Sequence, residues 1–136
     1  MKLYLAAPWV DKDKMSTLSD LFEASGHTIT KKWWETENIA EGSDGNNKLR
    51  NQAIEDKKGV ESCDILIVFN TSKSEGKATE QGVAIALNKP IIAIGKLGDG
   101  TAKNVFHYLP HYRWVDDVGG ALRELETIQW LVENGA

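Results

Sequence analysis

The sequence predicts an α/β domain built on a parallel sheet, and three observations carry that prediction. Short apolar runs at residues 3–7, 65–69 and 90–95 alternate with longer amphipathic segments, the order expected of βα units. The run Ile65-Leu66-Ile67-Val68-Phe69 shows no polar alternation, as in a strand covered on both faces. A chain of 136 residues suits one domain and leaves little material for a second core.

The elements follow in order. Residues 3–7 form the first expected strand, ended by Pro8. A helix is expected over 12–25, where Met15, Leu18, Leu21 and Phe22 fall at helical spacing, and Gly26 closes it. Residues 27–33 read as the second strand. Residues 36–47 hold Gly42, Asp44-Gly45 and Asn46-Asn47 and read as a polar loop. A helix over 47–62 aligns Leu49, Ala53, Asp56 and Val60 on one stripe, and the buried strand 65–69 comes next. A polar loop at 70–77, a helix at 79–88 and a strand at 90–95 continue the alternation. A second polar loop at 96–104 leads through 105–109 to a short strand around 112–115. The last helix, over 120–133, is expected to turn Leu122, Leu125, Ile128, Leu131 and Val132 inward, with Trp130 in the core. No repeat or linker divides the chain, so residues 1–136 are one domain. By analogy with other doubly wound sheets it is a flavodoxin-like, Rossmann-like three-layer sandwich with five parallel strands.

Composition removes several function classes. The 16 Lys+Arg stand against 20 Asp+Glu, a formal charge of −4, and no basic run is present. That disfavours a nucleic-acid binder, whose affinity comes largely from cations neutralising phosphates. A small ligand with one phosphate stays compatible, since a few backbone N–H groups can hold it. No apolar stretch approaches the roughly 18 residues of a membrane span. The N-terminal apolar run is too short for a secretory signal. The single cysteine, Cys63, cannot form an intramolecular disulfide and reads as packing. The cytoplasm is therefore the expected compartment.

Ligands of such folds bind outside the carboxyl ends of the strands. Glu80 lies in Ser74-Glu75-Gly76-Lys77-Ala78-Thr79-Glu80-Gln81-Gly82, a strand–loop–helix junction where free N–H groups and the helix dipole favour an ionised carboxylate. Such a carboxylate can attack a sugar's anomeric carbon; an acid that merely complements the dipole is the plainer reading. Asp56 is the second acid, able to protonate or hold a departing base, or simply to pair with Lys57 or Lys58 on an exposed face. Tyr4, in the first strand, either aims its hydroxyl at Glu80 or bonds to backbone. Five Trp are many for this length. Trp9 follows the first strand and Trp33-Trp34 the second, so Trp9 with one of the adjacent pair makes a flat wall for a nucleobase, worth about 1–3 kcal/mol per stacked base. Trp114 fits core or surface. Neither a metal nor an organic cofactor is expected. His27, His107 and His111 lack ligand partners at metal spacing, no P-loop or dinucleotide fingerprint is present, and no Gly-x-Ser-x-Gly elbow supports a serine triad.

Four stretches resemble one family. They are Lys2-Leu3-Tyr4-Leu5-Ala6-Ala7-Pro8-Trp9, then Asp56 through Cys63-Asp64-Ile65-Leu66-Ile67-Val68. Next come Gly76-x-x-x-Glu80-x-Gly82-x-Ala84-x-Ala86-x-x-Lys89-Pro90 and Asn104-Val105-Phe106-His107-Tyr108-Leu109-Pro110. Together they are similar to the nucleoside 2-deoxyribosyltransferases and the related 2′-deoxynucleoside 5′-phosphate N-hydrolases. The resemblance implies Glu80 as nucleophile, Asp56 as the assisting acid and Tyr4 as the residue orienting Glu80. Six positions before the glutamate, the transferases carry an aspartate for the sugar 5′-hydroxyl and the phosphate-using hydrolases a serine; here it is Ser74. The hydrolases' Ser-Ile-Arg-Gly-Gly type of phosphate loop is replaced by Ala7-Pro8-Trp9-Val10, as in the transferases, so the two indicators point in opposite directions. The implied substrates are a 2′-deoxyribonucleoside or its 5′-monophosphate and a free nucleobase, with Ser74 and Gly76 beside the sugar. A homodimer or higher homo-oligomer is implied, with Asn104 and His107 reaching across subunits. A nucleotide-sensing module on the same fold, with no turnover, is the competing reading.

Overall fold

The computed structural model describes residues 1–36, 43–99 and 103–135. Strands β1 (Lys2–Ala6), β2 (Thr28–Ile29), β3 (Ile65–Phe69), β4 (Ile91–Ile94) and β5 (Tyr112–Val115) form one sheet in the order β2-β1-β3-β4-β5. All four pairings are parallel, with Tyr4 opposite Leu66 and Val68 opposite Ala93. This is the flavodoxin-like order expected from the sequence. Helices α1 (Lys12–Ala24), α2 (Ser43–Ser62), α3 (Glu75–Ala86) and α4 (Val118–Glu133) complete the layers. The crossover from β1 to β2 runs opposite to those from β2 to β3 and β3 to β4. Right-handed connections therefore put α1 on one face and α2 and α3 together on the other. Helix α4 packs against β4 and β5.

Every residue of β3 is buried, as its unbroken apolar run requires. Leu3, Leu5, Ile91 and Ile92 are fully enclosed beside them, each burial worth about 1.5–3 kcal/mol. Cys63 is buried, and burial pushes its thiol up to about 11, so it packs as an inert side chain.

Several boundaries differ from expectation for identifiable reasons. Strand β2 holds only two paired residues, because Trp33–Glu35 turns into a 3-10 helix. Helix α2 begins at Ser43 rather than 47, carrying Asp44 into its first turn; the rest of the expected loop at 37–42, and residues 100–102 of the other, lie outside the described residues. Helix α3 begins at Glu75 rather than 79, because the Ser74 hydroxyl accepts the Lys77 N–H at 3.2 Å and caps the helix. Helix α4 begins at Val118, capped by Asp117, whose carboxylate accepts the Gly120 N–H at 2.7 Å. Of the expected stripe on α2, Val60 is buried and Asp56 half-buried; Leu49 and Ala53 are exposed. On α4, Trp130, Leu131 and Val132 are exposed rather than inward, since the helix outruns the sheet that covers Ala121 and Leu125. Among the described residues, no helix is long and apolar enough to cross a membrane.

Removing the α4 cap is a direct check on this geometry. Asp117→Ala should lower stability by about 1 kcal/mol without changing the slope of a urea titration. A loss below about 0.2 kcal/mol would show that the cap is not formed in solution.

Candidate active site

The carboxyl ends of β1 and β3 open onto a cleft of about 220 Å³. Its walls include Trp9 and Trp33 on one side, Asp56 and Gln52 of α2 on another, and Ser74, Gly76 and Glu80 of the β3–α3 junction. Tyr4 lies fully buried on β1, and its hydroxyl donates to Glu80 Oε2 across 76 residues of sequence. Burial and the neighbouring Glu80 carboxylate both push the Tyr4 hydroxyl far above its ordinary value, so it acts only as a donor. This removes the alternative of a tyrosine tied to backbone.

Glu80 stands in the second turn of α3, because the helix starts at Glu75. The dipole effect fades within the first turn, and burial dominates instead. Desolvation lifts the Glu80 carboxyl to about 7; the Tyr4 hydrogen bond lowers it and the Asp56 charge raises it further. The expectation of a carboxylate held ionised by the helix end is thus corrected to one poised near neutrality. Asp56 is also raised, chiefly by burial, with Lys31 opposing and Glu55 reinforcing. Its Oδ1 is buried with no hydrogen-bond partner among the described residues. Lys57 and Lys58 pair with Glu61 at 3.7 Å and Glu55 at 3.4 Å, so Asp56 is not half of an exposed helix ion pair. The arrangement combines two carboxyls in unlike environments, the pattern that separates acid and base roles.

The tryptophans divide. Trp33 is fixed by its Nε1–H donating to the Leu5 carbonyl at 2.7 Å. Trp9 is 46% exposed, and its ring lies 6.0 Å from that of Trp33 at 33°, an angled corner rather than a parallel slot. Trp34 meets Trp33 edge-on and is buried in the core, so Trp33 is the member of the pair that lines the cleft. Trp114 is half-buried and stacks on Tyr112. Asn104 and His107 line a neighbouring cavity rather than the Glu80 cleft, and the two cavities share Ser74 and Lys77.

Two residues had no sequence signal strong enough to single them out. Lys77 is buried one helical turn before Glu80, and only its (i, i+3) spacing to Glu80 marks it. Gly59 is where α2 crosses β1. A Cβ there would lie 2.8 Å from Lys31 Cβ and 3.0 Å from the Tyr4 ring, so glycine alone permits the approach that seats Tyr4.

The family model for nucleoside 2-deoxyribosyltransferase matches residues 3–109. Two solved structures share the fold. The CMP N-glycosidase BcmB of Clostridium botulinum is 19% identical, with a TM-score of 0.62, over 93% of this chain and 99% of that one. A conserved protein from Enterococcus faecalis V583 is 16% identical, with a TM-score of 0.66, over 93% of this chain and 98% of that one. No curated protein sequence matches significantly. Fold and family together define an enzyme of the N-glycosyl transferase or N-glycoside hydrolase class. Within that class, the chain belongs to the nucleoside 2-deoxyribosyltransferase family.

Two outcomes follow from this geometry. Glu80 binds its proton more tightly in the folded chain, at about 7 against an ordinary 4.5, so stability should fall as pH rises through that window. Glu80→Gln should shrink the slope in urea titrations at successive pH values; an unchanged slope would show that Glu80 is not desolvated. Gly59→Ala should cost about 1–3 kcal/mol by overpacking Tyr4 and Lys31, and a neutral result would contradict the close approach.

Proposed function

We propose that this enzyme cleaves the N-glycosidic bond of 2′-deoxyribonucleosides or their 5′-monophosphates through a covalent deoxyribosyl–Glu80 intermediate and passes the sugar to another base. The observation that carries the reading is the Tyr4 hydroxyl bonded to Glu80 in a cleft that Asp56 also faces. Tyr4 holds one carboxylate oxygen, and the other attacks C1′ as the bond from C1′ to the base nitrogen breaks. The bond's electron pair leaves with the base, and Asp56, whose carboxyl burial pushes above the ordinary aspartate value, delivers a proton to the base nitrogen. In the second half, an acceptor nitrogen attacks C1′, Glu80 departs as the carboxylate, and the acceptor's proton passes to Asp56. Two displacements give net retention. Trp9, with Trp33 behind it, offers the base a stacking face, and Ser74 and Gly76 flank the sugar. No metal or organic cofactor enters these steps.

The second reading is the 2′-deoxynucleoside 5′-phosphate N-hydrolase, with water in place of the acceptor base. Ser74 favours it, because it occupies the position at which those hydrolases carry serine and lines the cleft beside Glu80. In either case we place the enzyme in the cytoplasm, in nucleotide salvage, acting on small molecules as a homodimer or larger assembly. The exposed Val105, Phe106 and Tyr108 beside Asn104 and His107 support that assembly.

Chromatography of each deoxynucleoside and each 5′-monophosphate, incubated with and without a free acceptor base, separates the readings. Exchanged base marks the transferase, and released base without exchange marks the hydrolase. No turnover of any substrate leaves the nucleotide-sensing module. Glu80→Ala should lower turnover at least about a thousandfold, and near-normal turnover in that variant would remove Glu80 as nucleophile.

A further inference from the structure

Asp11 departs from the role its position predicts. It stands at the N-cap of α1, where an aspartate commonly accepts a helix N–H, yet its side chain makes no cap hydrogen bond. Its Oδ2 instead accepts the hydroxyl of Thr71, 60 residues further along the chain. The Asp11 side chain is 13% exposed, so it is not a solvated acid that merely complements the helix dipole. Lys14 lies 3.8 Å from its other oxygen, but the lysine is well exposed and such a pair is worth little. A residue that gives up its local role for a distant contact marks a place where function outweighs local stability.

The contact joins two pieces of the cleft. Asp11 closes the 3-10 turn Trp9–Asp11 that follows β1, its N–H donating to the Pro8 carbonyl at 3.0 Å, so it moves with Trp9. Thr71 lies in the loop between β3 and α3, which ends at Ser74, the cap of the helix that carries Glu80. The same loop is gripped by α3: the buried Lys77 ammonium donates to Asn70 Oδ1 at 3.0 Å and to the Ser72 carbonyl at 2.7 Å. Burial lowers the Lys77 pKa and the Asp11 charge opposes it, so the carboxylate is within electrostatic reach of that ammonium. Trp9 itself is lightly held. Lys12 Nζ sits 4.6 Å from its ring centre, and the Trp33 ring is 6.0 Å away at an angle. A ring so supported presents a constant face to a ligand only if the turn beneath it is fixed.

We propose that Asp11 and Thr71 are positioning residues for base recognition: their hydrogen bond clasps the turn carrying Trp9 to the loop leading into α3, and so sets the stacking wall relative to Glu80. The inference rests on the glycosyl-transfer reading and extends it to two residues that do not themselves line the cleft. A clasp of this kind orders the wall before the substrate arrives, so its loss falls on binding. KM rises, while kcat, set at Glu80 and Asp56, holds.

Thr71→Val keeps the shape of an exposed side chain and removes its donor, whereas Thr71→Ser keeps the donor. With the deoxynucleoside or monophosphate that the wild type turns over best, Thr71→Val should raise KM at least about threefold and leave kcat within about twofold. Thr71→Ser should restore KM to within about twofold of the wild type. Asp11→Ala, with folding checked by circular dichroism, removes the clasp from its other end and should raise KM likewise. In a Trp9→Leu background, which lacks the flat ring, Thr71→Val should raise KM no further. An unchanged KM in Thr71→Val, a fall in kcat in place of that rise, or a rise that persists in full beside Trp9→Leu would overturn the clasp while the glycosyl-transfer reading stands. If the wild type turns over none of these substrates, that reading fails, and calorimetric titration with the same compounds decides the clasp. Binding that Thr71→Val weakens, but not beside Trp9→Leu, supports it; binding that is absent or that Thr71→Val leaves unchanged overturns it.

Discussion

The hydrogen bond from Tyr4 to Glu80 is the interaction on which the candidate site depends. It joins the first strand to the third helix, and it forms only because several unrelated features agree. The parallel register sets Tyr4 opposite Leu66, in the strand that leads directly into α3. The Ser74 cap fixes where α3 starts, and hence the phase that turns Glu80 toward the sheet. Gly59 lets α2 lie against the Tyr4 ring, bringing Asp56, one turn earlier, to the same cleft. A side chain at Gly59, or a shift in the α3 start, would separate the three groups without removing any of them.

Burial sets the chemistry of these groups. A carboxylate in a partly closed cleft is more reactive than one in water, yet the same desolvation makes it hold a proton. At about 7, Glu80 is divided between the two forms near neutral pH, and the Tyr4 donor is what keeps it from rising further. Asp56 is raised by the same cause and its buried oxygen has no partner among the described residues, which suits a group that gives and then regains a proton. In the proposed reaction, similar residues in two environments take two roles, one attacking carbon and one moving a proton.

The sheet and the site were legible in the sequence to different degrees. Ile65–Phe69 announced a doubly covered strand, because five apolar residues without alternation have few other uses. The start of α3 was hidden, since Ser74-Glu75-Gly76 looks like loop by composition and becomes helix through one side-chain cap. Trp130, Leu131 and Val132 follow the apolar spacing of an inward face, but the helix extends past what it covers, and spacing carries no information about where a sheet ends. Glu80 is visible as a candidate, but its protonation depends on the same hidden boundary: moving the helix start by four residues replaces the dipole with burial as the main influence. Lys77 and Gly59 carry no local sequence signal, because their importance lies in what they touch. Nothing in the local sequence shows that a lysine will be buried or that a tyrosine ring will lie against a particular glycine.

The central claim is a double displacement at C1′ with Glu80 as the first nucleophile. The most direct measurement is the anomeric configuration of the sugar product, read by NMR when methanol is supplied as acceptor to a β-configured substrate. Two displacements predict the β-methyl 2-deoxyriboside as the first product formed. Initial formation of the α-anomer would mean that the acceptor attacks C1′ directly, and it would contradict the assignment of Glu80 as nucleophile.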